Sequence, residues 1–450
     1  MYITCILSLG TSRISTAVAQ IDNVGNYKVL ALESVDPEDS LRHGVIVNVE
    51  AAASRIKALF QKLNNRLKSA DIPVMDSVYV GLAGMSVRSL LHQPSIQLTE
   101  GTAISTDILD RLSRQSLATP LDGWDVLQVV PAGYSIDGTV VPNPAGMTGH
   151  ELTAHHQLIV AQSRLRANVE AAMSRAGLQI KGYVTQALST ADILSADERQ
   201  RGAVVIDFGA STTTVCAFKD GILLNLATIP LGSESVTSDI MTKGVTYRQA
   251  DELKKQWGST AGENEVIDRP NATNKSSEMY GIALGELDSV MTCRYEEILA
   301  NVAHQIEITG LEPDRFGAGC VLTGGAAMQK GLTTLVSRRI GIKRISTRGF
   351  SEFTYDNSQG KPHQTSLLAM LKQCRLDCRI KLSASIPQPV TVPNDQSVRQ
   401  TQDQQSAPVA PAAPAAKPET QPAGNRSKKR SFRDFIGDLF SGIDDDQPDN

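Results

Sequence analysis

Two short turns in this chain have the composition of a phosphate cradle. Gly10-Thr11-Ser12 sits between apolar runs at Ile3 to Leu9 and Ile14 to Ile21. Gly209-Ala210-Ser211-Thr212 sits between Ala203 to Phe208 and Thr213 to Phe218. Glycine lets backbone approach an anion closely, and N–H groups with Ser and Thr hydroxyls donate to it. A third element, Gly324-Gly325, ends a strand-like run that begins at Cys320. A helical pattern with Leu332, Leu335, Val336 and Ile340 on one face follows it, closed by Gly341. Paired glycines there admit a flat ligand such as a purine, or mark only a tight strand-to-helix turn. Between these elements, Asp251 and Lys254 stand three residues apart on an expected helix, a spacing that sets them side by side. Such a pair holds ribose hydroxyls, or is a solvated ion pair.

The elements that must position these residues repeat. Leu7 to Ser12 lies over Ile206 to Ser211 at an offset of 199 residues, so strand, small-residue turn and strand occur twice. One such turn is usually no more than a hairpin. Two at corresponding places in two halves of a chain are stronger evidence. Thr246-Tyr-Arg-Gln249 reads as a capping box ahead of a helix from Ala250 to Trp257, with Ala250, Leu253 and Trp257 facing inward. Glu151 to Ala161 reads as a strand, which sends His155 and His156 to opposite faces. A metal site needs three or four convergent ligands, so His150, His155 and His156 are expected to bind none.

Composition limits the remaining classes. Lys plus Arg number 44 against 48 Asp plus Glu, a net charge of −4, so the chain lacks the basic footprint of a nucleic-acid binder. No uninterrupted apolar run reaches 18 residues, and no ordinary membrane-spanning helix is expected. Six scattered cysteines without a CxxC pair fit a reducing compartment. Cys374 and Cys378 are expected one turn apart on a helix, as core. The apolar start and Ala17-Val18-Ala19 lack the basic residue that opens a secretory signal.

The character changes after about residue 386. Residues 387–425 hold eight of the 20 prolines among Ala, Gln, Ser and Thr, too little apolar surface to offset ordering entropy, so a disordered linker is expected. In 426–443, Phe432, Phe435, Ile436, Leu439, Phe440 and Ile443 fall within an arc of about 140° on a helix. Arg426, Lys428, Lys429 and Arg430 precede this helix, and an acidic tail, 444–450, follows. Near an anionic leaflet each basic residue contributes on the order of 1 kcal/mol. The leading reading is a membrane-surface helix through Arg430, Phe432, Arg433, Phe435, Ile436, Leu439 and Phe440. A partner's groove and folding back onto the globular body are the others.

Taken together, these elements resemble the actin-like ATPase superfamily: two phosphate hairpins, an adenosine segment, and a helix bearing an acid and a lysine. More narrowly the chain is similar to the FtsA family of bacterial cell-division actin homologues. Ser77 to Gly84, Val126 to Pro131, Tyr134 to Asp137, Asn143 to Gly149 and above all Val321 to Leu332 carry that likeness. The resemblance implies an α/β, actin-like, two-lobed fold of duplicated ribonuclease-H-like domains. The first lobe would be 1–200, with a small inserted subdomain at about 85–162. The second would be 201–355, with a partner subdomain at about 231–300, and 356–386 would return to the first lobe.

It further implies ATP and Mg²⁺, held by Gly10, Thr11, Ser12, Asp207, Gly209, Ala210, Ser211, Thr212, Asp251, Lys254, Gly324, Gly325, Ala326 and Met328, with Asp207 organising the metal through water. The implied partners are the C-terminal tail of FtsZ, other copies of the chain in a filament, anionic lipid and later division proteins. The implied location is the cytoplasmic face of the bacterial inner membrane at the division site, as a peripheral protein. Ser8 and Thr214 stand where carboxylates are common in the superfamily, and Ala210 and Ser211 replace glycines. Metal placement governs phosphoryl transfer, so slow ATP turnover at most is expected, and the main role is not enzymatic. An actin-like pilus-assembly ATPase and a sugar-kinase or Hsp70-type phosphotransfer enzyme are the alternatives.

Overall fold

The structure is a computed structural model. It describes residues 2–379 apart from 24, 100, 262–277, 351–352 and 355–363. The expected linker, amphipathic helix and acidic tail, with Arg430, Phe432, Arg433, Phe435, Ile436, Leu439 and Phe440, lie outside the described residues.

Tyr2–Leu9 is apolar along nearly its whole length, as a strand buried on both faces must be. It pairs antiparallel with Ile14–Ile21 and parallel with Ser77–Leu82. Gln179–Thr185 extends this sheet beyond Ser77–Leu82; Tyr27–Val35 and Phe353–Thr354 extend the other side. Helix Val49–Ser69 covers it, started by Asn48, whose side chain accepts from the Ala51 N–H. Its buried residues Ala52, Ile56, Leu59, Phe60, Leu63 and Leu67 fall on one face at three- and four-residue spacing.

A second sheet is built on Ala203–Phe208, antiparallel to Thr213–Lys219 and parallel to Gly319–Thr323. Successive residues of Ala203–Phe208 serve different cores. Ala203 and Val205 join the first core, while Val204, Ile206 and Phe208 join a second with the helices Leu284–Glu307 and Leu332–Ile340. Gly341 ends the latter helix in a left-handed conformation, the usual device for a helix stop.

Strands Arg88–His92, Ser95–Gln97, Trp124–Ile136, Thr139–Val141 and Glu151–Gln162, with helix Thr106–Leu117, enclose a small separate core of Ile104, Leu112, Ile136, Val141, Leu152 and Ala154. One backbone register point, Arg88 opposite Ala227, joins these strands to the second sheet. Side chains finish the seam: Ser89 Oγ accepts from the Leu226 N–H at 2.9 Å, and Gln157 Nε2 donates to the Leu224 carbonyl at 3.0 Å. His155 contacts Gln93 and Ser135, and His156 contacts Ser116. A register shift falls between the two histidines.

Two elements differ from expectation. The helix capped by Thr246 and Gln249 is α-helical only to Glu252, then winds as a π-turn over Leu253–Trp257, closed by the Gly258 N–H on the Leu253 carbonyl at 2.8 Å. Cys374 and Cys378 do not share a helix, because helix Thr365–Leu371 stops before them. They lie on a strap along Tyr2–Leu9, where the Cys378 N–H donates to the Ile3 carbonyl at 2.8 Å and its Sγ accepts from the Cys5 N–H at 3.2 Å. Ser77–Leu82 pairs with the first strand only from Ile6 to Ser8. The strap therefore satisfies backbone groups which that ladder leaves open. Among the described residues no helix is long and apolar enough to cross a membrane.

Candidate functional site

The two glycine turns are built alike. Gly10 N–H donates to the Arg13 carbonyl at 3.1 Å, and Gly209 N–H donates to the Thr212 carbonyl at 2.9 Å. A Cβ would stand 2.8 Å from the Arg13 oxygen at the first glycine and 2.7 Å from the Thr212 oxygen at the second. Each turn thus needs a residue without a side chain. Among the described residues, the N–H groups of Thr11, Ser12, Ala210 and Ser211 have no hydrogen-bond partner. Carbonyls of the second turn face elsewhere: Ser233 N–H donates to Gly209 and Glu234 N–H to Ala210, at 3.1 and 2.7 Å. Amides without partners beside small hydroxyls form a concavity suited to an anion.

The turns meet. Ser211 Oγ donates to Thr11 Oγ1 at 2.6 Å, and Thr11 Oγ1 also accepts from the Gly44 N–H at 3.0 Å. His43 Nδ1 lies 3.0 Å from the Ser211 carbonyl, which accepts from the tautomer protonated there. Ser12 is exposed at the tip. Gly324 has φ +88°, and its Cβ would come 2.4 Å from Asp207 Oδ1 and 2.5 Å from the Phe208 carbonyl. All three glycine elements are therefore linked through direct contacts. Gly325 has no neighbouring atom within 4 Å of a built Cβ, Ala326 leans on the second core, and Met328 is exposed at the end of the short turn that follows.

Asp207 is the penultimate residue of the second hairpin's first strand, opposite Thr214 on one side and Thr323 on the other. Ser366 Oγ donates to its Oδ2 at 3.1 Å. Desolvation pushes the carboxyl up to about 6, and the Ser366 hydrogen bond partly opposes that. Among the described residues no lysine or arginine pairs with it. At the matching position of the first hairpin, Ser8 Oγ donates to Gln186 Oε1 at 3.3 Å, a neutral pair. Thr214 Oγ1 lies 3.4 Å from Thr228 Oγ1.

Lys254 is buried and turned inward. Its Nζ donates to the Ser233 carbonyl at 3.1 Å and to Thr237 Oγ1 at 2.6 Å, and lies 3.3 Å from Asp251 Oδ1. Desolvation lowers its pKa, with Asp251 opposing. Asp251 itself is desolvated, but Lys255 at 2.6 Å and Lys254 outweigh that and hold its carboxyl below the usual range. The pair reaches the second turn through Ser233 and has no direct contact with the glycines.

Ser366, Gln186, His43 and Gly232 carry no signal in the sequence that marks them for this site. The contacts of Ser366 and Gln186 span 159 and 178 residues, beyond the reach of any local pattern. Gly232 packs against the second turn so tightly that its Cβ would lie 2.4 Å from the Ala210 oxygen. Only its position before a helix could have drawn attention to it.

The profile of the cell division protein FtsA matches residues 204–377, and that of the SHS2 domain inserted in FtsA matches 84–160. Together they take in more than half of the chain. Cell division protein FtsA of Porphyromonas gingivalis is 28% identical over 358 residues, 77% of this chain and 74% of the relative. That of Pseudomonas aeruginosa is 29% identical over 361 residues, covering 77% and 84%. That of Escherichia coli K12 is 25% identical over 347 residues, covering 74% and 80%. Among solved structures, a PilM–PilN type IV pilus biogenesis complex superimposes with a TM-score of 0.57 at 16% identity, over 82% of this chain and 98% of that one. At that identity the match speaks for the fold alone, and with the duplicated hairpin it makes the architecture actin-like and two-lobed. The chain belongs to the FtsA family of cell division proteins.

Proposed function

We propose that the chain binds ATP between its two glycine hairpins, assembles with copies of itself, and tethers the FtsZ ring to the cytoplasmic membrane. The observation that carries the nucleotide reading is the contact of Thr11 with Ser211 at 2.6 Å. It brings two turns 199 residues apart into one concavity lined by amides and hydroxyls. Open space beside Gly325 and the exposure of Met328 suit residues next to a base, and Asp251 is linked to the second turn through Lys254 and Ser233.

Asp207 suits Mg²⁺: it is a desolvated carboxylate without a basic partner among the described residues, and Mg²⁺ keeps several waters and takes one or two carboxylates. When bound, the ion would neutralise phosphate charge. Ser8 and Gln186 supply no second carboxylate, and proton transfer from an attacking water therefore has no strong base in the first hairpin. Nucleotide then serves assembly rather than turnover. A fluorescent ATP analogue should bind the full chain with Mg²⁺, and Ser12→Asp, which sets a carboxylate at the exposed tip of the first turn, should weaken that binding without unfolding the protein. Equal binding by the variant would remove this reading.

The membrane reading rests on residues 426–443 and the partner reading on the family. Full-length chain should pellet with vesicles containing anionic lipid, whereas a chain ending near Pro387, or one carrying Phe435→Asp and Leu439→Asp, should stay in solution. A peptide of the FtsZ C-terminal tail should retain the full chain on beads through about 231–300. Absence of retention at low salt would count against the division-ring tether.

A further inference from the structure

Helix Thr365–Leu371 belongs to the first core. Leu367 to Leu371 are buried there, and Met370 packs so closely on Gly81 of the Ser77–Leu82 strand that a Cβ at the glycine would meet its sulfur. Yet Ser366, in the helix's first turn, donates to Asp207, whose strand supplies Val204, Ile206 and Phe208 to the second core. The bond therefore runs from an element fixed in one lobe to the carboxylate of the other lobe's hairpin. Asp207 is held at one oxygen and close-packed at the other: Oδ2 takes the Ser366 hydroxyl, and Oδ1 lies so near Gly324 that a Cβ there would come within 2.4 Å of it. Three chain segments, far apart in sequence, thus meet at one carboxylate, and Ser366 gives it a hydrogen bond.

We infer that Ser366 is a positioning residue for divalent-cation-dependent nucleotide binding: it orients Asp207 toward the metal's water shell and ties helix Thr365–Leu371 to the occupied cleft. This deepens the nucleotide reading above and rests on it. Mg²⁺ demands near-ideal octahedral geometry, so a carboxylate free to rotate holds its waters poorly. Partners outside the ligand shell that orient a ligating group commonly change metal affinity 10–100-fold. A hydroxyl on the first lobe is well sited for this, because rotation of the lobes then moves donor and carboxylate relative to each other.

The test uses the full chain and a fluorescent ATP analogue, titrated in Mg²⁺ and again in EDTA. Wild type should gain affinity from Mg²⁺. Ser366→Ala should lose about tenfold in Mg²⁺ and nothing in EDTA, and Ser366→Thr, which keeps the hydroxyl, should restore the gain. Amide exchange of 365–371 should slow on adding Mg²⁺ with the analogue in wild type and in Ser366→Thr, but not in Ser366→Ala. Equal Mg²⁺ gain in Ser366→Ala and wild type overturns the inference, as does an equal loss in Mg²⁺ and EDTA, which marks a merely structural residue. No binding by wild type in either buffer instead overturns the nucleotide reading, and this inference with it.

Discussion

At Gly324 a left-handed backbone, a carboxylate oxygen and a main-chain carbonyl meet within one residue's space. Gly324→Ala should destabilise the protein by about 1–3 kcal/mol through overpacking, with added backbone strain, read as a lower urea midpoint. Its neighbour supplies the control. Gly325→Ala has open space around the new methyl and should leave the midpoint unchanged while weakening binding of the ATP analogue. The sequence presents these two glycines as a pair; only the packing divides their roles. Asp207 was recognisable from its place in the repeat, but its hold on Ser366 was not, since no pattern joins residues 159 apart.

Short elements were legible where their signals were local. The hairpins follow from apolar runs broken by small residues, and the Thr246–Gln249 capping box forms as its spacing demands. The π-turn after it had no such signal: the same residues satisfy helical periodicity to Trp257, and only the Gly258 closure reveals the change. That turn seats the Lys254 ammonium on Ser233 and Thr237. Lys254→Ala leaves the buried Thr237 hydroxyl without its ammonium donor and removes one of the donors to the Ser233 carbonyl, and should cost about 1–3 kcal/mol, measurable by denaturant unfolding.

The inserted strands make a separate pH prediction. Desolvation lowers both His155 and His156 from 6.5 to about 4, with His92 and His155 adding repulsion at His156. The fold therefore disfavours their charged forms, and the unfolded chain takes up protons first. Their contribution is full above pH about 6.5 and is lost as pH falls toward 4, on the order of 3 kcal/mol per histidine at most. His155→Gln with His156→Gln should flatten that part of the stability-versus-pH curve. An unchanged slope would show that other groups cause it.

In the molecule as a whole, the two glycine turns meet in the bond from Ser211 to Thr11, at 2.6 Å. Thr11→Cys with Ser211→Cys should therefore cross-link under mild oxidation, since a disulfide needs its sulfurs at about 2.05 Å. The cross-linked protein should lose uptake of the ATP analogue and regain it on reduction; unchanged uptake would mean nucleotide enters without parting the turns. The strap of Cys374 to Arg379 has a mechanical consequence. Chain beyond it leads toward the basic and aromatic terminus, so a pull from that end is first resisted by Cys378 on Ile3 and by the Ser77 hydroxyl, which donates to the Cys378 carbonyl at 2.7 Å. Ile3 lies on strand Tyr2–Leu9, which leads directly into Gly10. A load on the tail would thus fall first on the strand that leads into the first glycine turn.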